Sequence, residues 1–288
     1  MVLDTLRSWL PVKRARPPVV AVLRLHGVIG PQQGPFRPSL NLAALAGAIE
    51  HAFKLKGIKA VALSINSPGG APVQSALIHD RIRALAAEKK LPVYAFCEDV
   101  AASGGYWIAC AGDEIHANAT SIVGSIGVIS AGFGFTEMIE KIGVKRRLYT
   151  AGEKKSLLDP FLPENPDDVA RLKTIQAELH EAFKTHVRRR REGRLRDDES
   201  RLFNGDFWTG EKALELGLID GVGDLRSVMR ERYGDKVRLR VVQAGRNWLQ
   251  RRLGIGATPS WEEGFAGDVA HGLFAAAETR ALWSRFGL

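Results

Sequence analysis

Three apolar runs, at residues 19–25, 58–65 and 91–97, have the length and composition of buried strands. Between them, over residues 40–53 and 73–85, apolar positions recur at helical spacing. Strand, helix, strand, helix in that order constrains the chain to an α/β fold. Parallel neighbours in a sheet need a crossover, and a helix is the usual one. Two of the strands lead into glycine pairs, Asn66-Ser67-Pro68-Gly69-Gly70 and Asp99-Val100-Ala101-Ala102-Ser103-Gly104-Gly105. In such sheets the functional groups gather at the carboxyl ends of the strands. Two glycine loops on neighbouring strands would face one another and make a site.

The rest of the chain continues the pattern less regularly. A short strand is expected at 114–117, and strands at 128–130 and 145–149 are expected to flank a helix at 135–142. Residues 150–168, with Pro160, Pro163 and Pro166, read as irregular. A long helix at 169–190 follows, then shorter helices at 208–216 and 225–233 and a last strand at 237–242. Beyond Gly245, Trp248, Leu253, Trp261, Phe265, Leu273, Leu282 and Phe286 suggest amphipathic helices. The expected organisation is a basic N-terminal segment (1–18), a mostly parallel α/β domain with flanking helices (19–243) and an amphipathic helical C-terminal extension (244–288).

The formal net charge of +9 is concentrated locally, in Lys13, Arg14 and Arg16 and in Arg188-Arg189-Arg190-Arg191 with Arg194 and Arg196. No phosphate-binding glycine loop of the Walker type, zinc finger or RNA-binding aromatic strand accompanies these residues, so nucleic-acid binding is not expected. The arginine run reads as a solvated helix end, favourable to the helix dipole, and an anionic membrane surface is the alternative partner. Cys97 and Cys110 lie in apolar runs without ligand spacing and read as core thiols. The uncharged stretch 115–136 is too rich in Gly, Ser, Thr and Asn for a membrane span, and the first ten residues lack the apolar core of a signal peptide. The expected location is therefore the cytoplasm or the surface of the cytoplasmic membrane, without an anchor.

Ser103 stands between a strand and the first turn of a helix. There its hydroxyl lies near free backbone N–H groups, and the following glycines leave room for a carbonyl to approach. Asp99 is expected to cap that helix, Asn66 and Pro68 to shape the facing turn, and none of the histidines to take part.

Five motifs in order, the Asn66–Gly70 loop, Ala102-Ser103-Gly104-Gly105-Tyr106, Gly124-Ser125-Ile126-Gly127-Val128, Gly152-Glu153-Lys154-Lys155 before Pro160, and Asn204-Gly205-Asp206-Phe207-Trp208-Thr209-Gly210 before Gly217-Leu218-Ile219-Asp220, carry a resemblance. Over about residues 19–233 the chain resembles the signal peptide peptidase A family (SppA/SohB-like) of serine peptidases, of the ClpP/crotonase superfamily. The resemblance implies a Ser/Lys dyad, with Ser103 as nucleophile and Lys155, kept neutral by burial, as its base. Lys154 is the rival for that place. It implies an oxyanion hole of backbone N–H groups from Gly70 and Gly104, with Gly69 keeping the approach open and Ser125 supporting the lysine. It further implies a homo-oligomer, a peptide or unfolded-protein substrate, no ATP, and no metal or organic cofactor. A crotonase-like acyl-CoA enzyme and an inactive membrane scaffold are the alternatives, and neither has a use for a Ser/Lys pair.

Overall fold

The computed structural model describes residues 17–31, 39–152, 154–242 and 280–287. Strands β1 (Val19–His26), β2 (Ile58–Ser67) and β3 (Val93–Ala102) alternate with helices α1 (Leu42–Lys54) and α2 (Pro72–Lys89). After them come α3 (Gly104–Ala109), β4 (Glu114–Ala117), β5 (Ile122–Gly124), α4 (Thr136–Lys141) and α5 (Pro166–Arg190). The series ends with α6 (Glu199–Leu202), β6 (Phe207–Thr209), α7 (Gly210–Glu215), β7 (Gly221–Val222), α8 (Leu225–Tyr233) and β8 (Arg238–Val242). The fold is α/β with a mostly parallel sheet in the order β6-β5-β3-β2-β1-β8; among the described residues only β5 and β6 pair antiparallel.

Alternation along the strands sorts the core onto two faces. Ala21, Leu23 and Leu25 of β1 join Val61, Leu63 and Ile65 of β2 beneath α1, α2 and α3. Val20, Val22, Ala60 and Ala62 face the other way, against Val228 and Met229 of α8. Strand β3 changes partner along its length: Tyr94–Cys97 pair with β4, and Val100–Ala102 pair with β5. That split carries its carboxyl end past β4 and presents Ser103 beside Gly124, whose carbonyl accepts the Ser103 N–H at 2.8 Å.

Several expectations need correction. Residues 128–130 and 145–149 are not strands; the chain there lacks a paired neighbour and follows an exposed excursion. Residues 122–124 do form a strand, and residues 207–209, expected to open a helix, are its antiparallel partner. The long helix starts at Pro166, because Asn165 accepts the Asp167 N–H and proline suits a first-turn position. The arginine run is not a solvated helix end. Arg191 is buried on the Gly217 carbonyl and Asp220, and Arg190 bonds the carbonyls of Cys110 and Gly112. The expected extension at 244–288 falls largely outside the described residues, within which 280–284 are helical.

Candidate active site

The loop after β2 and the turn after β3 meet at backbone distance. A Cβ on Gly69 would stand 2.8 Å from the Ser103 Cβ and 2.9 Å from the Gly104 nitrogen, so only glycine permits this approach. Gly69 and Gly70 have φ of 104° and 140°, conformations that L side chains rarely adopt. A Cβ on Gly70 would collide with the Ile29 carbonyl, and one on Gly104 would strike the Ser75 hydroxyl of α2 and lie 3.4 Å from the Gly70 nitrogen. The Gly70 and Gly104 nitrogens thus converge beside Ser103. No hydrogen bond from either is present among the described residues.

Ser103 itself has φ 52° and ψ −122°, outside the regions that non-glycine residues favour. Strain of this kind costs about 1–3 kcal/mol and persists only where the surroundings over-determine it. Here they do: β5 holds its N–H, Gly69 abuts its Cβ, and its carbonyl accepts from Trp107 at 3.0 Å. Although Ser103 stands at the N-cap of α3, its hydroxyl makes no capping bond. It is left for other chemistry.

A cavity of about 310 Å³ opens beside Ser103, walled by Trp107, Val128, Ile129, Leu179, Phe183 and Leu282, with Arg285 as the ionisable lining group among the described residues. Sequence reasoning missed this wall. Tyr106-Trp107 next to the nucleophile motif was the available signal, whereas Leu179 and Phe183 belong to α5 and come near only through folding. Behind Trp107 lies a histidine pair that had been given no role. His186 stacks on Trp107 at 4.5 Å and its Nε2 donates to the Trp107 carbonyl, while His79 meets His186 edge-on at 4.4 Å. Burial holds His186 in its neutral form, its pKa lowered to about 3, and lowers that of His79 as well. A larger cavity of about 760 Å³ lies elsewhere, beside Glu98, Asp99, Ser121 and Asp224. Its serine is already committed, donating to the Cys97 carbonyl and accepting from Asn118 N–H, so volume does not choose the site.

Asp99 does not cap α3. It accepts from Asn66 Nδ2 at 2.5 Å, and Asn66 Oδ1 takes the Val100 N–H, so this pair ties β2 to β3 below the site. Ser125 is buried with φ 52°, and its N–H donates to the Asp206 carbonyl at 2.7 Å. Its hydroxyl makes no hydrogen bond among the described residues. Lys155 and Lys154 are exposed, in a turn closed by the Lys155 N–H on the Gly152 carbonyl. The single chain does not bring Lys155 into the cavity wall beside Ser103. The other motifs are structural: Trp208 packs over Gly124, Tyr106 donates to the Leu218 carbonyl at 2.7 Å, and Asp220 receives Arg191, Arg194 and the Ile115 N–H.

The model of peptidase family S49 matches residues 85–237, which hold the nucleophile turn, the excursion and most of the cavity wall. The chain belongs to peptidase family S49. Among curated proteins, this S49 chain is 36% identical over 210 residues to the chloroplastic serine protease SPPA of Arabidopsis thaliana, covering 72% of this chain and 31% of that protein. It is 54% identical over 272 residues to a Brucella abortus protein named Na(+)/H(+) antiporter NhaA, covering 93% of this chain. The chain spans 37% of the length of that relative, and no helix among its own described residues is long and apolar enough to cross a membrane. Among solved structures, a lysine-to-alanine mutant of the 1510-N membrane-bound stomatin-specific protease in complex with a substrate peptide matches 84% of this chain and 100% of its own. With a TM-score of 0.50 and 14% identity, that likeness concerns the fold. Together the findings place the chain in a family of peptidases.

Proposed function

We propose that this S49 peptidase is an ATP-independent endopeptidase that cuts short or unfolded peptides, spent signal peptides among them, with Ser103 and Lys155 as its dyad. The observation that carries the reading is the strained, uncapped Ser103 set against two convergent glycine amides. Ser103 Oγ attacks the scissile carbonyl carbon while the Lys155 amine takes its proton. The Gly70 and Gly104 N–H groups receive the resulting oxyanion. Collapse breaks the C–N bond, and the lysine's proton goes to the leaving amine. Water then attacks the acyl-enzyme by the same route in reverse and frees Ser103. The apolar wall of Trp107, Leu179 and Phe183 suits an apolar substrate side chain.

Lys155 reaches a serine when the excursion over 128–165 packs against a site. In the single chain that excursion buries one side chain among the described residues, Ile139, and exposes Ile129, Phe133, Met138, Ile142, Val144 and Tyr149. An apolar surface of this kind marks an interface, and the reading assigns it to further copies of the chain in a homo-oligomer. The test is cleavage of an unstructured peptide together with labelling by a serine-reactive fluorophosphonate. Wild type should cleave and label. Ser103→Ala should do neither, losing about 10⁴-fold or more in kcat/KM. Full activity in Ser103→Ala, or a folded and assembled wild type that cleaves nothing, would sink the reading.

A further inference from the structure

Three of the four arginines in the run are turned inward or paired: Arg188 engages Glu181 and Glu199, Arg190 two carbonyls, and Arg191 Asp220. A different cationic surface arises from residues that no stretch of sequence brings together. Lys56, in the turn after α1, and Lys59 of β2 meet Arg238 and Arg240 of the edge strand β8 around a cavity of about 670 Å³. The register explains the meeting, since Val19 of β1 pairs with Ile58 on one side and Arg238 on the other. All four cations are exposed, and among the described residues none has a carboxylate within ion-pair distance. Four like charges around one concavity, with no counter-charge, attract polyanions.

We propose that this concavity docks the domain on an anionic phospholipid surface, with headgroup phosphates among Lys56, Lys59, Arg238 and Arg240. Two observations favour a bilayer over nucleic acid. Among the described residues no aromatic side chain lines the cavity to stack a base, and its remaining lining includes Pro17, Pro18 and Leu55, apolar groups suited to a headgroup boundary. In sequence, Lys13, Arg14 and Arg16 lie within four residues of Pro17. The concavity lies at the amino ends of β1, β2 and β8, whereas Ser103 and Gly70 follow the carboxyl ends of β3 and β2. Docking there leaves the catalytic loops open at the opposite end of the sheet.

The full chain would be sedimented with vesicles of phosphatidylcholine alone and of phosphatidylcholine mixed with phosphatidylglycerol. Binding is expected only to the mixed vesicles and should fall steeply with added salt. Replacing Lys56, Lys59, Arg238 and Arg240 together by Gln should weaken partitioning about a hundredfold and leave peptide cleavage and melting temperature unchanged. A control with Lys89, Lys90, Arg201 and Lys212 changed to Gln removes the same charge elsewhere and should bind like wild type. Equal binding to neutral vesicles, an undiminished quadruple variant, an equal loss in the control, or capture of a duplex oligonucleotide while the vesicles are ignored would each overturn the proposal. Because binding is read apart from cleavage, the outcome does not depend on the dyad.

Discussion

Ser103 and Lys155, the two residues assigned to one reaction, sit in opposite surroundings. Ser103 is held by β5 through its N–H, by Gly69 against its Cβ and by α3 through its carbonyl. Lys155 sits in an exposed turn of an excursion whose internal ties are few: the Phe135 N–H on the Pro160 carbonyl, Arg146 on Asp159, and Phe135 stacked on Phe161. The first region is finished within one chain. The second exposes apolar side chains that a folded chain ordinarily covers, and so looks outward for its packing. The difference teaches that the fold of one chain builds the rigid turn around Ser103, whereas the proposed base lies on a surface that, on the proposed function, assembly would complete.

After the loss of Ser103 itself, the largest effect should come from the exposed half. Lys155→Ala is expected to lower kcat/KM about 10³-fold, while Lys154→Ala changes it less than about twofold, both measured on an unstructured peptide. Equal losses at the two positions would break the contrast between them. If the base comes from another copy, mixing Ser103→Ala with Lys155→Ala chains should restore part of the activity that neither has alone.

In the rigid half, Gly69→Ala places a methyl 2.8 Å from the Ser103 Cβ at a φ that disfavours it. A loss of about 10²-fold in kcat is expected, with labelling by the fluorophosphonate reduced in parallel. Activity near wild type would show that the two loops are looser than their contacts indicate.

Ile142→Asp together with Tyr149→Asp should dissociate the assembly without unfolding the domain, read by sedimentation. Cleavage at low protein concentration should fall about tenfold and recover at high concentration. An unchanged oligomer would remove the excursion from the interface.

The smallest effect concerns the wall behind Ser103. The pKa of His186 is depressed to about 3 in the folded chain, against about 6.5 when unfolded. Protonation therefore favours the unfolded state. The stability this histidine holds is full above about pH 6.5 and declines toward pH 3, by at most about 1.4 kcal/mol per pH unit. Urea midpoints taken from pH 7.5 down to 4 should fall for wild type and fall less for His186→Gln, with Trp107 fluorescence following the same course.

How much of this was legible in the sequence depends on how local each cause is. The βαβ alternation and the two glycine loops show because periodicity and glycine are read over a few residues, and Ser103 stands out for the same reason. Asp99 was misjudged because a carboxylate just ahead of a helix looks like a cap, yet β3 continues to Ala102 and turns it toward Asn66. The strands expected at 128–130 and 145–149 have apolar residues without a sheet edge to receive them. Those residues lie on an exposed surface instead, and apolar content alone does not tell a sequence reader whether a segment is buried in its own chain. The wall of Leu179 and Phe183, like the cluster of Lys56, Lys59, Arg238 and Arg240, depends on long-range register that no spacing reveals.

The buried arginines at the end of α5 have a consequence for redesign. Arg190 and Arg191 moor that helix to Cys110, Gly112, Gly217 and Asp220, around the far end of α3 and the turn that receives Tyr106. Phe183, two turns from the mooring, touches Trp107 at 4.9 Å between centroids, while Leu179 lies one turn farther out and is exposed. The cavity can therefore be resized cheaply at position 179, but a change of volume at 183 is transmitted through Trp107 to the turn that holds Ser103.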